Sequence, residues 1–244
     1  MTAFFLSALG YAKKSNGQKI PVSLPHFNGF SERLHAFWPD HASVLLIASA
    51  PDRHDYTDSV LSGLRESFRL SHLAFDCFDF CDSRDESALE HLAEYHVIIL
   101  PGGHVPTQNA YHQRIALRTR LEGYSGLLIA WSAGAMNCAN TVYALPEQEG
   151  EAVDPAYNRF LPGLGLTQHT IIPHFAAVSL DVVDGLRAIE DMALPDSMGH
   201  EFLGLHNGSY LLSHEGTVTL FGEACLLKDG ELTPLQPHGK SRIL

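Results

Sequence analysis

Short apolar runs alternate along the chain with stretches in which apolar residues recur every three or four positions. Ser43 to Ala50 (SVLLIASA) reads as a buried strand, and Asp55 to Leu70 follows with Val60, Leu61, Leu64 and Phe68 on one helical face. Leu73 to Phe80 reads as the next strand and Glu86 to Tyr95 as a short helix. His96 to Leu100 is then a strand that closes on Pro101, Gly102 and Gly103, and Thr107 to Leu121 reads as helix. Leu127 to Trp131 (LLIAW) is a strand ending at Ser132, with a helix beginning near Ala133. Strands apolar along their whole length and joined by helices predict an α/β fold whose parallel sheet is buried on both faces and linked by right-handed crossovers. Ligands then gather beyond the carboxyl ends of the strands.

Two regions depart from this rhythm. The opening MTAFFLSALGYA has a short apolar run, but no Lys or Arg precedes it and Lys13 and Lys14 follow it, so it is read as a first strand and not as a targeting segment. After Phe175, Val182 to Met192 looks helical, and Gly204 to Leu235 alternates strand-like runs with turns at Asn207-Gly208, Glu215-Gly216 and Asp229-Gly230. An antiparallel ribbon is expected to close the domain. No repeat or linker marks a second one, so residues 1–244 are read as a single domain.

Composition narrows the function classes. The 244 residues are 45% hydrophobic and 18% charged, as in a globular protein. A net charge of -12 with only 16 Lys and Arg argues against nucleic acid or an anionic membrane as partner. No apolar run reaches the ~18 to 20 residues of a membrane span. Cys77, Cys81, Cys138 and Cys225 form neither a CxxC pair nor a dense disulfide scaffold, which fits a reducing, cytoplasmic setting. With no HExxH and no paired CxxC, neither a metal nor a cofactor is expected.

Three segments carry chemistry. Ala130-Trp131-Ser132-Ala133-Gly134 lies where a strand hands over to a helix, and a serine in that sharp turn needs small neighbours and stands clear of the sheet as a nucleophile. The helix that starts there aims unsatisfied N–H groups at the same spot, so the Ala133 N–H is the first candidate oxyanion donor. Pro101-Gly102-Gly103-His104 ends the preceding strand at the same sheet edge, which makes the Gly103 N–H the second. Ile171-Ile172-Pro173-His174-Phe175 presents a histidine after a short apolar run, as a general base for the serine requires. The alternatives are a serine that only caps a helix and glycines that only make a turn.

Gly102-Gly103-His104, Ala130 to Ala135 (AWSAGA) and Pro173-His174-Phe175, in this order and spacing, resemble the dipeptidase E and cyanophycinase family of serine peptidases. The resemblance implies a class I glutamine amidotransferase-like fold, a flavodoxin-like three-layer α/β sandwich with a mostly parallel sheet and an antiparallel ribbon near the C-terminus. It implies Ser132 as nucleophile, His174 as base and the Gly103 and Ala133 N–H groups as oxyanion hole. Ala130 and His104 depart from the Gly and Asn usual in the family, and His104 is a candidate for touching substrate. The family's third triad member is an Asp about fifteen residues after the serine, where this chain has Glu147. Glu149, Glu151 and Asp154 compete for that role from the same acidic loop.

An aspartyl-directed specificity, as among dipeptidase E relatives, would need a basic group in the pocket. Arg114, Arg118, Arg159 and Arg187 are candidates, although no motif holds any of them, and Asn109 reads as a helix-start residue. The expected partner is a small peptide, and a homodimer is the assembly considered. Three rivals stand beside this reading. A glutaminase would place Cys at the elbow. An α/β-hydrolase esterase usually keeps its histidine near the chain end. A non-catalytic relative would bind a small ligand without turning it over.

Overall fold

Backbone pairing in the computed structural model, which describes residues 1–244, gathers eight strands into one central sheet. Five are parallel, in the spatial order Thr2–Leu6, Leu127–Trp131, Val97–Leu100, Ala42–Ile47 and Phe75–Cys81. On the far side of Thr2–Leu6 the sheet continues antiparallel through Tyr210–His214, Thr217–Phe221 and Ser241–Ile243. The fold is therefore mixed α/β around a large, mostly parallel sheet.

The two-residue period of the strands explains why both faces are covered. Within Leu127–Trp131, Leu127, Ile129 and Trp131 join one apolar cluster, while Leu128 and Ala130 join another. The same parity separates Phe4 and Leu6 from Ala3 and Phe5, and Val44 and Leu46 from Leu45 and Ile47. Helices Phe30–Phe37 and His54–Leu70 close the first face with Phe30, Leu34, Val60, Leu64 and Phe68. Val105–Arg114, Leu117–Arg120 and the 3-10 turns of Ser87–Glu94 close the second with Tyr111, Leu117, Leu89 and Leu92.

Several elements differ from the sequence reading. The helix expected over Thr107 to Leu121 is broken at Ala116, whose φ of 49° is left-handed. Val182 to Met192 is not one helix: Val182–Val183 pairs with Leu186–Arg187 through Asp184-Gly185, and Ala188–Ala193 then forms a π-helical turn. An Asp-Gly pair favours the positive φ of a turn, here 52° and 83°, over helix continuation. The C-terminal ribbon divides between two sheets, because Ala224–Lys228 and Glu231–Gln236 leave the central one. They join Glu201–Leu205 and Thr170–Ile172 in a second, four-stranded sheet. A hairpin unread in the sequence, Ala12–Ser15 with Gln18–Pro21, turns through Asn16-Gly17 at φ 49° and 78°. No helix is long and apolar enough to cross a membrane.

Candidate active site

The carboxyl ends of the parallel strands bring Ser132, Gly103 and His174 to one cleft. Ser132 follows Leu127–Trp131 at φ 52° and ψ -124°, outside every basin that an L-residue occupies at ease. Both of its backbone groups hold this turn. Its N–H donates to the Leu6 carbonyl at 3.0 Å, and its carbonyl accepts the Met136 N–H at 3.0 Å, which starts helix Ala133–Asn137. Gly134 makes the turn sterically feasible, since a Cβ there would run into the carbonyl of Leu100 and that of Pro101. The serine hydroxyl thus stands above the sheet with the first turn of the helix beneath it.

His174 lies two residues beyond Thr170–Ile172, in the left-handed region at φ 54°. Its Nε2 is 3.1 Å from Ser132 Oγ, and its Nδ1 is 2.7 Å from Asn207 Oδ1. An amide oxygen only accepts, so Nδ1 carries the hydrogen and the Nε2 lone pair faces the serine hydroxyl. The buried Ser7 ties the arrangement together. Its hydroxyl accepts the His174 N–H at 2.7 Å and donates to the Leu205 carbonyl at 3.1 Å. Phe175 anchors the next residue by filling the space that Gly204 leaves open.

Asn207, and not Glu147, is therefore the group that holds the far side of the imidazole. Glu147 lines the same cleft as Ser132 and His174, but its carboxylate accepts from the Val105 N–H at 3.4 Å. Glu147 is exposed as a whole, yet its carboxyl end sits against the cleft wall, and desolvation there raises its pKa above the usual carboxylate value. The nearby His104 and the Val105 N–H pull it partly back. Glu151 binds His104 Nε2 at 2.7 Å and accepts the N–H groups of Glu147 and Gln148, which ties the acidic loop to itself. Glu149 and Asp154 are exposed, and Asp154 accepts the N–H of Ala156. The gapless count from Ser132 failed because this loop folds back on His104 and not on His174.

Gly103 lines the cleft beside Ser132, and a Cβ on it would collide with Ser49. The Gly102 carbonyl accepts from Ser49 Oγ at 2.9 Å and from the Tyr56 hydroxyl at 3.2 Å. Since a trans peptide points its carbonyl and N–H in opposite directions, these two bonds turn the Gly103 N–H the other way. His104, expected to touch substrate, has both ring nitrogens occupied by Thr107 and Glu151 and does not line the cleft. Asn109 is buried and donates to Asn137 Oδ1 and to the Pro162 carbonyl, a brace for the helix that follows Ser132.

Two depressions meet at Ser132. One, of about 300 Å³, has apolar walls from Val105, Met136, Leu145, Ile172 and Val178, with Glu147 and Asp181 as its only acids and no Lys or Arg. The other, of about 350 Å³, is lined by Tyr11, Tyr56 and Trp131 together with Lys13, Lys14 and Lys19. The four arginines considered from the sequence are engaged elsewhere: Arg114 with Glu86, Arg159 with Asp196, Arg187 with Asp191, and Arg118 with the Gly163 carbonyl.

A hydroxyl bonded to an imidazole whose second nitrogen is anchored is equipped for acyl transfer, which places the chain in the class of serine hydrolases. The family model described as peptidase family S51 matches residues 22–221, and the chain belongs to this family of serine-type peptidases. Among solved structures, a peptidase E candidate from Listeria monocytogenes EGD-e superposes with a TM-score of 0.58 at 13% identity. That match covers 96% of this chain and 98% of the other. No curated protein sequence matches.

Proposed function

We propose that the chain hydrolyses small peptides through an acyl-enzyme on Ser132, with His174 as general base. As Ser132 Oγ bonds to the scissile carbonyl carbon, its proton passes to His174 Nε2. The resulting oxyanion lies against the N–H groups of Gly103 and Ala133. The same nitrogen returns the proton to the leaving amine as the C–N bond breaks, and water repeats the sequence to release the acid and restore the serine. Asn207 keeps the imidazole in the required tautomer, and Ser7 positions its backbone. The class I glutamine amidotransferase-like description of the fold, a single domain over residues 1–244 and a reducing, cytoplasmic setting belong to the same reading.

The observation that carries it is the 3.1 Å contact between Ser132 Oγ and His174 Nε2 at a strained strand-to-helix turn. Amino-acid release from a panel of dipeptides and β-aspartyl peptides tests it, with Ser132→Ala compared at matched thermal stability. Turnover that disappears in the variant supports the reading. Equal turnover in both proteins, or covalent labelling by a fluorophosphonate that does not need Ser132, sinks it.

A further inference from the structure

The lysine-lined depression beside Ser132 has no part in the mechanism above. It is formed where hairpin Ala12–Ser15/Gln18–Pro21 stands over Tyr11, Tyr56 and Trp131, and Ser132, Gly102, Gly103 and His174 form its floor. Lys13, Lys14 and Lys19 all line it, all three are exposed, and none pairs with a carboxylate, in a chain carrying a net charge of -12. The pairing register sets Lys14 directly opposite Lys19, an arrangement of like charges that costs stability in an antiparallel pair unless an anion lies between them. Lys19 Nζ is 5.7 Å from the ring centroid of Tyr56, whose hydroxyl holds the Gly102 carbonyl. Lys19 is thus separated from the candidate oxyanion turn by a single side chain, Tyr56. The depression on the other side of Ser132 has the reverse charge, with Glu147 and Asp181 and no Lys or Arg.

We infer that Lys14 and Lys19, assisted by Lys13, bind a carboxylate of the peptide substrate and seat it across Ser132. This rests on the peptidase reading and adds to it a specificity element and an end-to-end polarity for the substrate. Ammonium groups on flexible stems recognise a carboxylate as a point charge, so the subsite accepts either a terminal carboxylate or an acidic side chain. Binding of this kind lowers KM more than it raises kcat, because the contact is the same in ground and transition states.

The test uses the full chain and three matched peptides: one with a free C-terminal carboxylate, the same peptide amidated, and the amidated peptide with an added aspartyl side chain. Wild type is expected to favour the free or the aspartyl peptide over the plain amide by on the order of tenfold in KM, and the favoured peptide names the source of the carboxylate. In Lys14→Gln/Lys19→Gln that preference falls to about one with kcat little changed, and 0.5 M salt reduces it in wild type. Turnover without a preference, or a preference untouched by the double variant, overturns the subsite and leaves the peptidase standing. If no peptide is turned over, protection of Ser132 from fluorophosphonate is read instead. Protection by the carboxylate peptide and not by the amide keeps the subsite and overturns the peptidase, whereas protection by neither overturns both.

Discussion

Asn207 holds the position at which most serine hydrolases place a carboxylate, and this difference has a chemical consequence. An amide oxygen fixes the tautomer and ring orientation but adds no negative charge to stabilise the imidazolium. Its contribution is therefore positional. Asn207→Ala is expected to lower kcat about 10- to 100-fold with KM nearly unchanged, and Asn207→Asp, which keeps an acceptor 2.7 Å away, to retain activity. Steady-state kinetics on one peptide checks both, and an Asn207→Ala enzyme with wild-type kcat would show that Ser7 and the local backbone suffice. The sequence did present this residue, but as the first member of an Asn-Gly turn. Its role became visible only through the pairing of Ile172 with Gly204, which sets the ends of two parallel strands side by side and so brings Asn207 to His174. Ser7 escaped notice for a similar reason, since its partners Leu205 and His174 are remote in the chain and a strand-end serine carries no local signal.

Elements were legible where one local pattern sufficed. The run Leu127 to Trp131 forms a strand with the bounds read from its apolar residues, and the helix after Ser132 starts at Ala133. Gly134 shows why that junction is so readable: the helix must begin within contact of Leu100, and only a residue without Cβ passes. Gly134→Ala is accordingly expected to cost about 1 to 3 kcal/mol and to lower activity with it, through overpacking against the backbone of Leu100 and Pro101. Thermal or urea unfolding measures this directly, and an unchanged midpoint would mean that the turn relaxes more easily than its contacts allow. Legibility failed where two patterns competed. Asp184-Gly185 interrupts a helix-like apolar spacing, and the acidic loop after Pro146 offered four carboxylates with nothing local to rank them. The hairpin around Asn16-Gly17 was hidden by an exposed, lysine-rich sequence that lacks the apolar alternation of a half-buried strand.

At the scale of the whole molecule, one buried group ties stability to pH. His112 sits on Val105–Arg114, is 1% exposed, and neither ring nitrogen has a hydrogen-bond partner. Burial alone pushes its pKa down to about 3, so the folded protein holds the ring neutral while the unfolded chain protonates it near pH 6.5. Between these values the unfolded state binds more protons. The contribution of His112 is therefore fully present above pH 6.5 and is lost as pH falls, by about 1.4 kcal/mol per pH unit well below that point. His169 adds a change of the same sign, because burial lowers its pKa too, with Glu201 partly opposing. Replacing His112 by Leu removes one titrating group and two unpaired polar atoms while keeping an apolar side chain in place. Urea unfolding measured from pH 7 to pH 4 should show a shallower acid slope for His112→Leu than for wild type, with the two curves diverging only below pH 6.5. Parallel curves would mean that the ring finds a proton acceptor when it charges, and that the acid sensitivity of the fold lies with other groups.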